Sequence, residues 1–379
     1  MNQTTSLDTD RAHLMHPLHH PTSYKSARVW VSGEGALIKD STGREYIDGL
    51  SGLWNVNIGH GRQELGEAAR KQMGTLAFHS AYAGGSNEPA IALAERLSGL
   101  VYPSINTFFF TSGGAEASET SFKTARFYWK ARGKPDKIKV ISRRRAYHGV
   151  TIASASLTGL SVFHEDFDLP MARVLHTDCP HHWRGAEPGE SEEAYATRLA
   201  ANLEDLIETQ GPETIAAFIA EPVMGAGGVI VPPKGYFPAI QKVLRRHGIP
   251  LVADEIITGL GRTGKLWGSQ TFGIEPDIIV ASKVLTAGYF PLGAVLLSPP
   301  IAARLERAAR SFGEFVHGFT TAGHPVGCAV ALKAIEVITQ GGVLDNVQRL
   351  SPRFGERLCR LGAHPMVGEA RGVGLMGAL

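Results

Sequence analysis

Six short apolar runs, at residues 107–110, 138–142, 215–220, 249–253, 277–281 and 293–297, recur along this 379-residue chain, each rich in β-branched or aromatic side chains. Between many of them lie segments with helical patterning, at 115–132, 192–209 and 236–247. Alternation of this kind predicts an α/β fold: a mostly parallel sheet with helices on both faces. The N-terminal part differs, because VWVSGEGALIKDSTGREYIDGL predicts hairpin-like strands around Gly33-Glu34-Gly35 and Ser41-Thr42-Gly43, a separate and smaller layer. Toward the other end, HPVGCAVALKAIEVI spaces Ala329, Leu332, Ile335 and Val337 as a helix does, and RGVGLMGAL reads as a first strand.

Hydrophobic residues at 43% and charged residues at 20% are ordinary for a soluble globular protein. Cys179, Cys328 and Cys359 are scattered without a CxxC spacing, which argues against a disulfide framework or a zinc site and for a reducing compartment. The opening MNQTTSLDTDRAH lacks a signal-peptide pattern, and no apolar run approaches the roughly 18 residues of a membrane helix, so a cytoplasmic protein is expected. A formal net charge of +2, with only Arg143-Arg144-Arg145 and Arg245-Arg246 as basic clusters, directs attention to small-molecule chemistry rather than nucleic acid.

Ligands of open α/β sheets sit beyond the carboxyl ends of the strands, so polar residues just after the apolar runs carry the most information. In TFFFTSGGAEASET a strand gives way to Gly113-Gly114 and a helix starting near Ala115, a geometry that cradles phosphate but also serves as a plain strand-to-helix turn. Asp254 and Glu255 end the run IPLVA, where a carboxylate can hold a metal, a ribose hydroxyl or a protonated ring nitrogen, or simply bond a loop. Glu221 stands in the same relation to IAAFIA. Lys283 follows DIIVAS, either as an amine snorkelling to the surface or as a nucleophile for carbonyl groups.

The run GLGRTGK, 259–265, matches GxGxxG and most of GxxxxGK[ST], but Leu266 replaces the Ser or Thr that binds magnesium, and the run reads as loop structure. The histidines His13, His16, His19 and His20, and the loop HTDCPHHW, fit no metal-ligand spacing.

Taken in order, these features and the stretches EPVMGAGGVIVPPKGY, ADEIITGLGRTG, PDIIVASKVLTAGYFPLGAV and HGFTTAGHPVGCA resemble the class III aminotransferases of the pyridoxal-phosphate fold type I group, more closely the amine:pyruvate (omega) transaminases. The resemblance spans essentially the whole chain from Ala12 to Leu379. It implies pyridoxal 5′-phosphate as cofactor, a large cofactor-binding domain at 61–325, and a smaller α+β domain built from both termini, 1–60 and 326–379, the latter beginning with a linking helix. By the same resemblance, Lys283 condenses with the cofactor aldehyde and moves the proton at the substrate carbon, and Asp254 keeps the pyridine nitrogen protonated. Tyr147 stacks on one ring face and Ile256 packs the other, Gly114 and Ala115 give backbone N–H groups to the phosphate, and Glu221 orders the site. Strand alternation, placing residues two apart on one face, supports the position of Ile256. Thr320 reaches the phosphate of a neighbouring subunit, which implies a homodimer, while Trp54 and Tyr82 line the substrate pocket.

Two departures stand out. Gly113 and Ala115 replace serines of the family's phosphate loop, so a hydroxyl contact is lost and weaker cofactor binding is expected. The family also continues several dozen residues beyond the strand at Leu379, with an arginine for the substrate carboxylate; the expectation is a fragment of a longer chain or an incomplete substrate site, with exposed apolar surface and a free sheet edge that reduce solubility. The expected reaction is ping-pong transfer of an amino group from a primary amine or ω-amino acid to a 2-oxo acid, pyruvate above all. Aminomutase or decarboxylase chemistry on the same scaffold, an impaired homologue with a structural or interaction role, and nucleotide binding at 259–265 are the alternatives.

Overall fold

Three sheets hold the strands of the computed structural model, which describes residues 3–18, 20, 22 and 27–379, leaving His19 outside the described residues. The first is antiparallel, β1 (Trp30–Glu34), β2 (Leu37–Asp40) and β3 (Glu45–Ile47). Its two tight turns contain Gly35 and Gly43 at positive φ, as the turn signals in the sequence require. The second is central and seven-stranded: β4 (Thr107–Thr111), β5 (Lys139–Arg143), β6 (Val174–Thr177), β7 (Ile215–Ala220), β8 (Leu251–Asp254), β9 (Ile278–Ala281) and β10 (Gly293–Leu297), in the spatial order β4-β10-β9-β8-β7-β5-β6. All its pairings are parallel except those of β10, which runs antiparallel to both β4 and β9.

Every residue of β7, β8, β9 and β10 is buried, which is why these strands read as unbroken apolar runs rather than alternating ones. β6 escaped the sequence reading because it is an edge strand, VLHT, with only its two terminal residues buried. At the far end of the chain RGVGLMGAL forms two strands instead of one. β11 (Arg371–Val373) pairs antiparallel with β12 (Met376–Ala378), and Gly374 at φ +61° makes the turn. A further helix, Val343–Gly362, was not foreseen. The helix Pro325–Gln340 lies in the core, with Val326, Val330, Ala334 and Ile338 buried, and packs against the helices Gln63–Thr75 and Glu88–Ser98.

The loop 259–265 is held by Glu255, which is fully buried. One Glu255 oxygen accepts from Thr258 Oγ1 (2.5 Å) and from the backbone N–H of Gly268 (3.0 Å), and the other from the Ser269 N–H (2.6 Å) and hydroxyl (2.5 Å). A carboxylate thus closes the loop that in sequence mimics a phosphate-binding motif. Replacing it leaves buried donors unsatisfied, so Glu255→Ala is expected to lower unfolding stability by about 3 kcal/mol, measured by urea denaturation.

Candidate active site

In the central sheet Ala220 lies opposite Ala253, and Asp254 opposite Val280, so the carboxyl ends of β7, β8 and β9 form one shelf. Glu221, Asp254 and Lys283 stand on it. A cavity of about 160 Å³ opens above, lined by these three together with Leu53, Gly114, Ala115, Tyr147, His148, Gly149, Val150, Val223, Ile256 and Ile257. The structure therefore brings together Gly114, Ala115, Tyr147, Glu221, Asp254, Ile256 and Lys283. Ile256 arrives by another route than strand alternation: β8 ends at Asp254, and the following turn, whose Ile256 N–H donates to Asp254 Oδ1 at 3.1 Å, swings the side chain into the cavity.

Asp254 is buried, and its Oδ2 lies 2.6 Å from Nδ1 of His148, a ring with no exposed surface. A carboxylate only accepts, so the ring proton of His148 sits on Nδ1. His148 Nε2 has no hydrogen-bond partner among the described residues. The ring is set by its own backbone N–H, which donates to Thr158 Oγ1 at 2.9 Å. Sequence reasoning missed His148; the available signal was its place between Tyr147 and Gly149 in a loop following a buried strand. Gly149, at φ +125°, lets that loop lie against the helix start, since a Cβ there would stand 2.8 Å from Ala115.

Lys283 follows β9 after one residue, Ser282, and is half-buried. Burial pushes its pKa down; the negative Asp254 and Glu221 oppose this, and the positive Arg262 reinforces it. The result is an amine that sheds its proton more readily than a free lysine. Glu221 is buried, and neither of its carboxylate oxygens accepts a hydrogen bond among the described residues. Arg143, which has no exposed surface, donates from Nη2 to the Glu221 carbonyl at 2.6 Å and comes within 3.7 Å of its Oε2. Burial nonetheless pushes the Glu221 carboxyl up to about 7. Tyr147 has its pKa raised by burial and then by Asp254, and its ring meets Phe163 edge to face at 5.6 Å.

Opposite these groups the helix Gly114–Ala131 begins, capped by Gly113 without a side-chain bond. Its first-turn N–H groups have no intrahelical partner and carry the positive end of the helix dipole. A Cβ on Gly114 would come to 3.0 Å from Ile256 Cδ1, so glycine keeps the space beside that turn.

Other expected residues lie elsewhere. Trp54 packs against the apolar cluster containing Val223, Ile256 and Ile257, while its neighbour Leu53 lines the cavity. Tyr82 is 54% exposed and borders a different cavity, beside Gly318 and His317. Thr320 is exposed and does not line the cavity; the adjacent Thr321 bonds the Ser112 hydroxyl at 2.5 Å. Among the described residues no group of three or more metal-ligating side chains forms a cation site.

The arrangement fits a phosphorylated pyridine. A buried carboxylate fixed by two donors faces the cavity floor, an unpaired helix start faces one side, an amine of lowered pKa stands between, and the Glu221 oxygens and Nε2 of His148, which make no hydrogen bond among the described residues, leave buried polar atoms to be satisfied. Comparison with known proteins agrees with this chemistry. The family model "Aminotransferase class-III" matches residues 20–379. Gamma aminobutyrate transaminase 1, mitochondrial, of Solanum lycopersicum is 48% identical over 344 residues, covering 90% of this chain and 67% of the relative. The solved omega transaminase of Pseudomonas jessenii in complex with PMP superposes with a TM-score of 0.96 at 44% identity, covering 98% of this chain and 82% of the other. A structure described as "Transaminase with L-ala" gives a TM-score of 0.91 at 48% identity, over 92% of this chain and 82% of that one.

Because burial raises the Glu221 carboxyl from the ordinary 4.5 to about 7, the folded apoprotein holds that proton where the unfolded chain has released it. Glu221 imposes no penalty below the lower value, and a growing one as the pH rises through the upper. The stability difference between wild type and Glu221→Gln is expected to move against the wild type by on the order of 3 kcal/mol between pH 4.5 and 8, measured by urea denaturation of the apoprotein across that range.

Proposed function

Because the chain belongs to the class III aminotransferase family, a pyridoxal-phosphate-dependent group, we propose that it moves an amino group from a primary amine or ω-amino acid to a 2-oxo acid, with pyruvate as acceptor, by a ping-pong mechanism. The observation that carries this reading is the single cavity joining Lys283, Asp254 with His148, and the Gly114–Ala131 helix start. Two comparisons support the finer assignment: curated relatives are gamma-aminobutyrate transaminases, and a solved relative is described with L-alanine, the amine that corresponds to pyruvate.

Bound pyridoxal phosphate supplies an aldehyde and a ring that withdraws electrons from the substrate carbon. The protein's part follows from its own residues. The helix start and the N–H groups of Gly114 and Ala115 would hold the phosphate. Asp254, oriented by the His148 Nδ1–H and the Ile256 N–H, would hold a proton on the ring nitrogen. Tyr147 and Ile256 would flank the ring. Lys283, neutral at a lower pH than ordinary lysine, would take a proton from the substrate carbon and return it. Leu53, Val150, Val223 and Ile257 give the cavity apolar walls, which keep water away and suit an aliphatic or aryl amine. We further propose that the enzyme acts as a cytoplasmic homodimer, with Thr320 and Tyr82, both away from the cavity of one chain, serving a site shared across the interface.

Incubation with an amine donor and pyruvate is expected to yield alanine in proportion to donor consumed; decarboxylated or isomerised product without alanine would refute transamination. Lys283→Ala is expected to lower the rate by 10⁴-fold or more, on the order of a lost nucleophile and base. It should also abolish the near-visible absorption of the cofactor-loaded protein, read directly by spectroscopy.

A further inference from the structure

The loop 259–265 contains a cation that helps to lower the Lys283 pKa and has no other part in the proposed chemistry. Arg262 is largely buried and forms no ion pair with an acid among the described residues. Burial alone holds its pKa down, to about 10. Its donors go to backbone carbonyls instead: Nε donates to the Ile257 carbonyl at 3.0 Å, and Nη2 to the Trp54 carbonyl at 3.0 Å. The guanidinium carbon lies 6.0 Å from the centre of the Trp54 ring.

What Arg262 holds is a strained turn. Ser51, Gly52 and Trp54 all have left-handed φ, at +57°, +66° and +63°. Such a conformation at a bulky aromatic residue persists only where surrounding contacts impose it. Earlier parts of the turn are fastened from within, the Gly52 N–H to Asp48 Oδ2 at 2.7 Å and the Leu53 N–H to Asn55 Oδ1 at 3.0 Å. Trp54 is fastened on both sides, its N–H donating to the Leu50 carbonyl at 3.0 Å within the turn and its carbonyl accepting from Arg262 outside it. The same guanidinium grips Ile257, a cavity-lining residue, so one planar fork sets the distance between the tryptophan and the cavity wall. A lysine, with a single point of attachment, cannot span both carbonyls in this way.

We infer that Arg262 is a positioning residue that fixes Trp54 beside the cofactor cavity and thereby sets the size of amine the site accepts. The inference rests on the reading of Trp54 as a wall of the substrate pocket.

The test combines spectroscopy with donor selectivity. The five tryptophans, labelled as 5-fluorotryptophan, give ¹⁹F resonances, of which Trp54 is assigned by its loss in Trp54→Phe. In apoprotein and cofactor-loaded enzyme alike, Arg262→Met is expected to shift or broaden that resonance and leave the others in place, with Arg262→Lys intermediate. The ratio of kcat/KM for a small primary amine to that for a bulky aryl amine should fall about tenfold in Arg262→Met, mainly through KM, and Arg262→Met should add no further change in a Trp54→Gly background. An unmoved Trp54 resonance, or an equal effect of Arg262→Met with and without Trp54, overturns the inference. So does selective loss of ω-amino acid donors with amines unaffected, which would mark Arg262 as a direct carboxylate anchor. If Trp54→Gly alters the size preference and Arg262→Met does not, the inference fails alone. If Trp54→Gly leaves the preference unchanged, the pocket reading of Trp54 fails and the inference with it.

Discussion

The contact between Asp254 and His148, 2.6 Å long and sealed from solvent, is the constraint from which the rest of the site follows. A carboxylate buried at the end of a central strand must be given donors, and one of its two comes from a distant part of the chain. β5 is separated from β8 by β7, so the segment after β5 has to cross the end of an intervening strand, a span of roughly 10 Å at ordinary strand spacing. That crossing carries Tyr147 over the cavity and presses Gly149 against the helix start. One hydrogen bond therefore accounts for the placement of a floor group, an aromatic wall and the edge of the anion cradle.

Two neighbouring acids show how finely a strand end divides its labour. Asp254, the last residue of β8, faces the cavity, and Glu255 turns away from it to gather four donors from the following segment. Burial raises the Glu255 carboxyl above its ordinary value, and only that set of hydrogen bonds makes the position tolerable. The loop it closes presents Arg262 to the Trp54 turn, and the same loop meets the β11–β12 hairpin, where the Leu375 N–H donates to the Arg262 carbonyl at 3.2 Å. A stretch that resembles a nucleotide-binding motif in letters is thus a brace between three segments far apart in sequence.

What could be read from sequence was whatever is local. Strands buried on both faces announce themselves as apolar runs, so β7 to β10 were legible, and with them the residues at their ends, Glu221, Asp254 and Lys283. β6 was illegible because an edge strand need not be apolar, and His148 because nothing in AYHG says that the ring reaches a carboxylate more than a hundred residues away. Placing Tyr82 and Thr320 at the substrate and cofactor came from family likeness; within one chain both lie away from the cavity, and no local pattern could assign them. Nor could a local pattern separate Asp254 from Glu255, which family likeness did, since that difference arises in the turn after the strand.

One antiparallel strand has a geometric role. β10 lies between β4 and β9, with Gly293 opposite Thr111 and Ala294 opposite Ala281. It therefore works as a spacer: the ends of β4 and β9, from which the helix start and the lysine-bearing turn lead off, are kept two inter-strand intervals apart, roughly 10 Å. Glycine at 293 sets the tolerance, because a Cβ there would meet Thr111 Oγ1 at 2.3 Å and the Gly113 carbonyl oxygen at 2.6 Å. The spacing of the two strand ends from which the anion cradle and the amine depart is thus written into the sheet itself, and variation among the cavity side chains leaves that spacing the same.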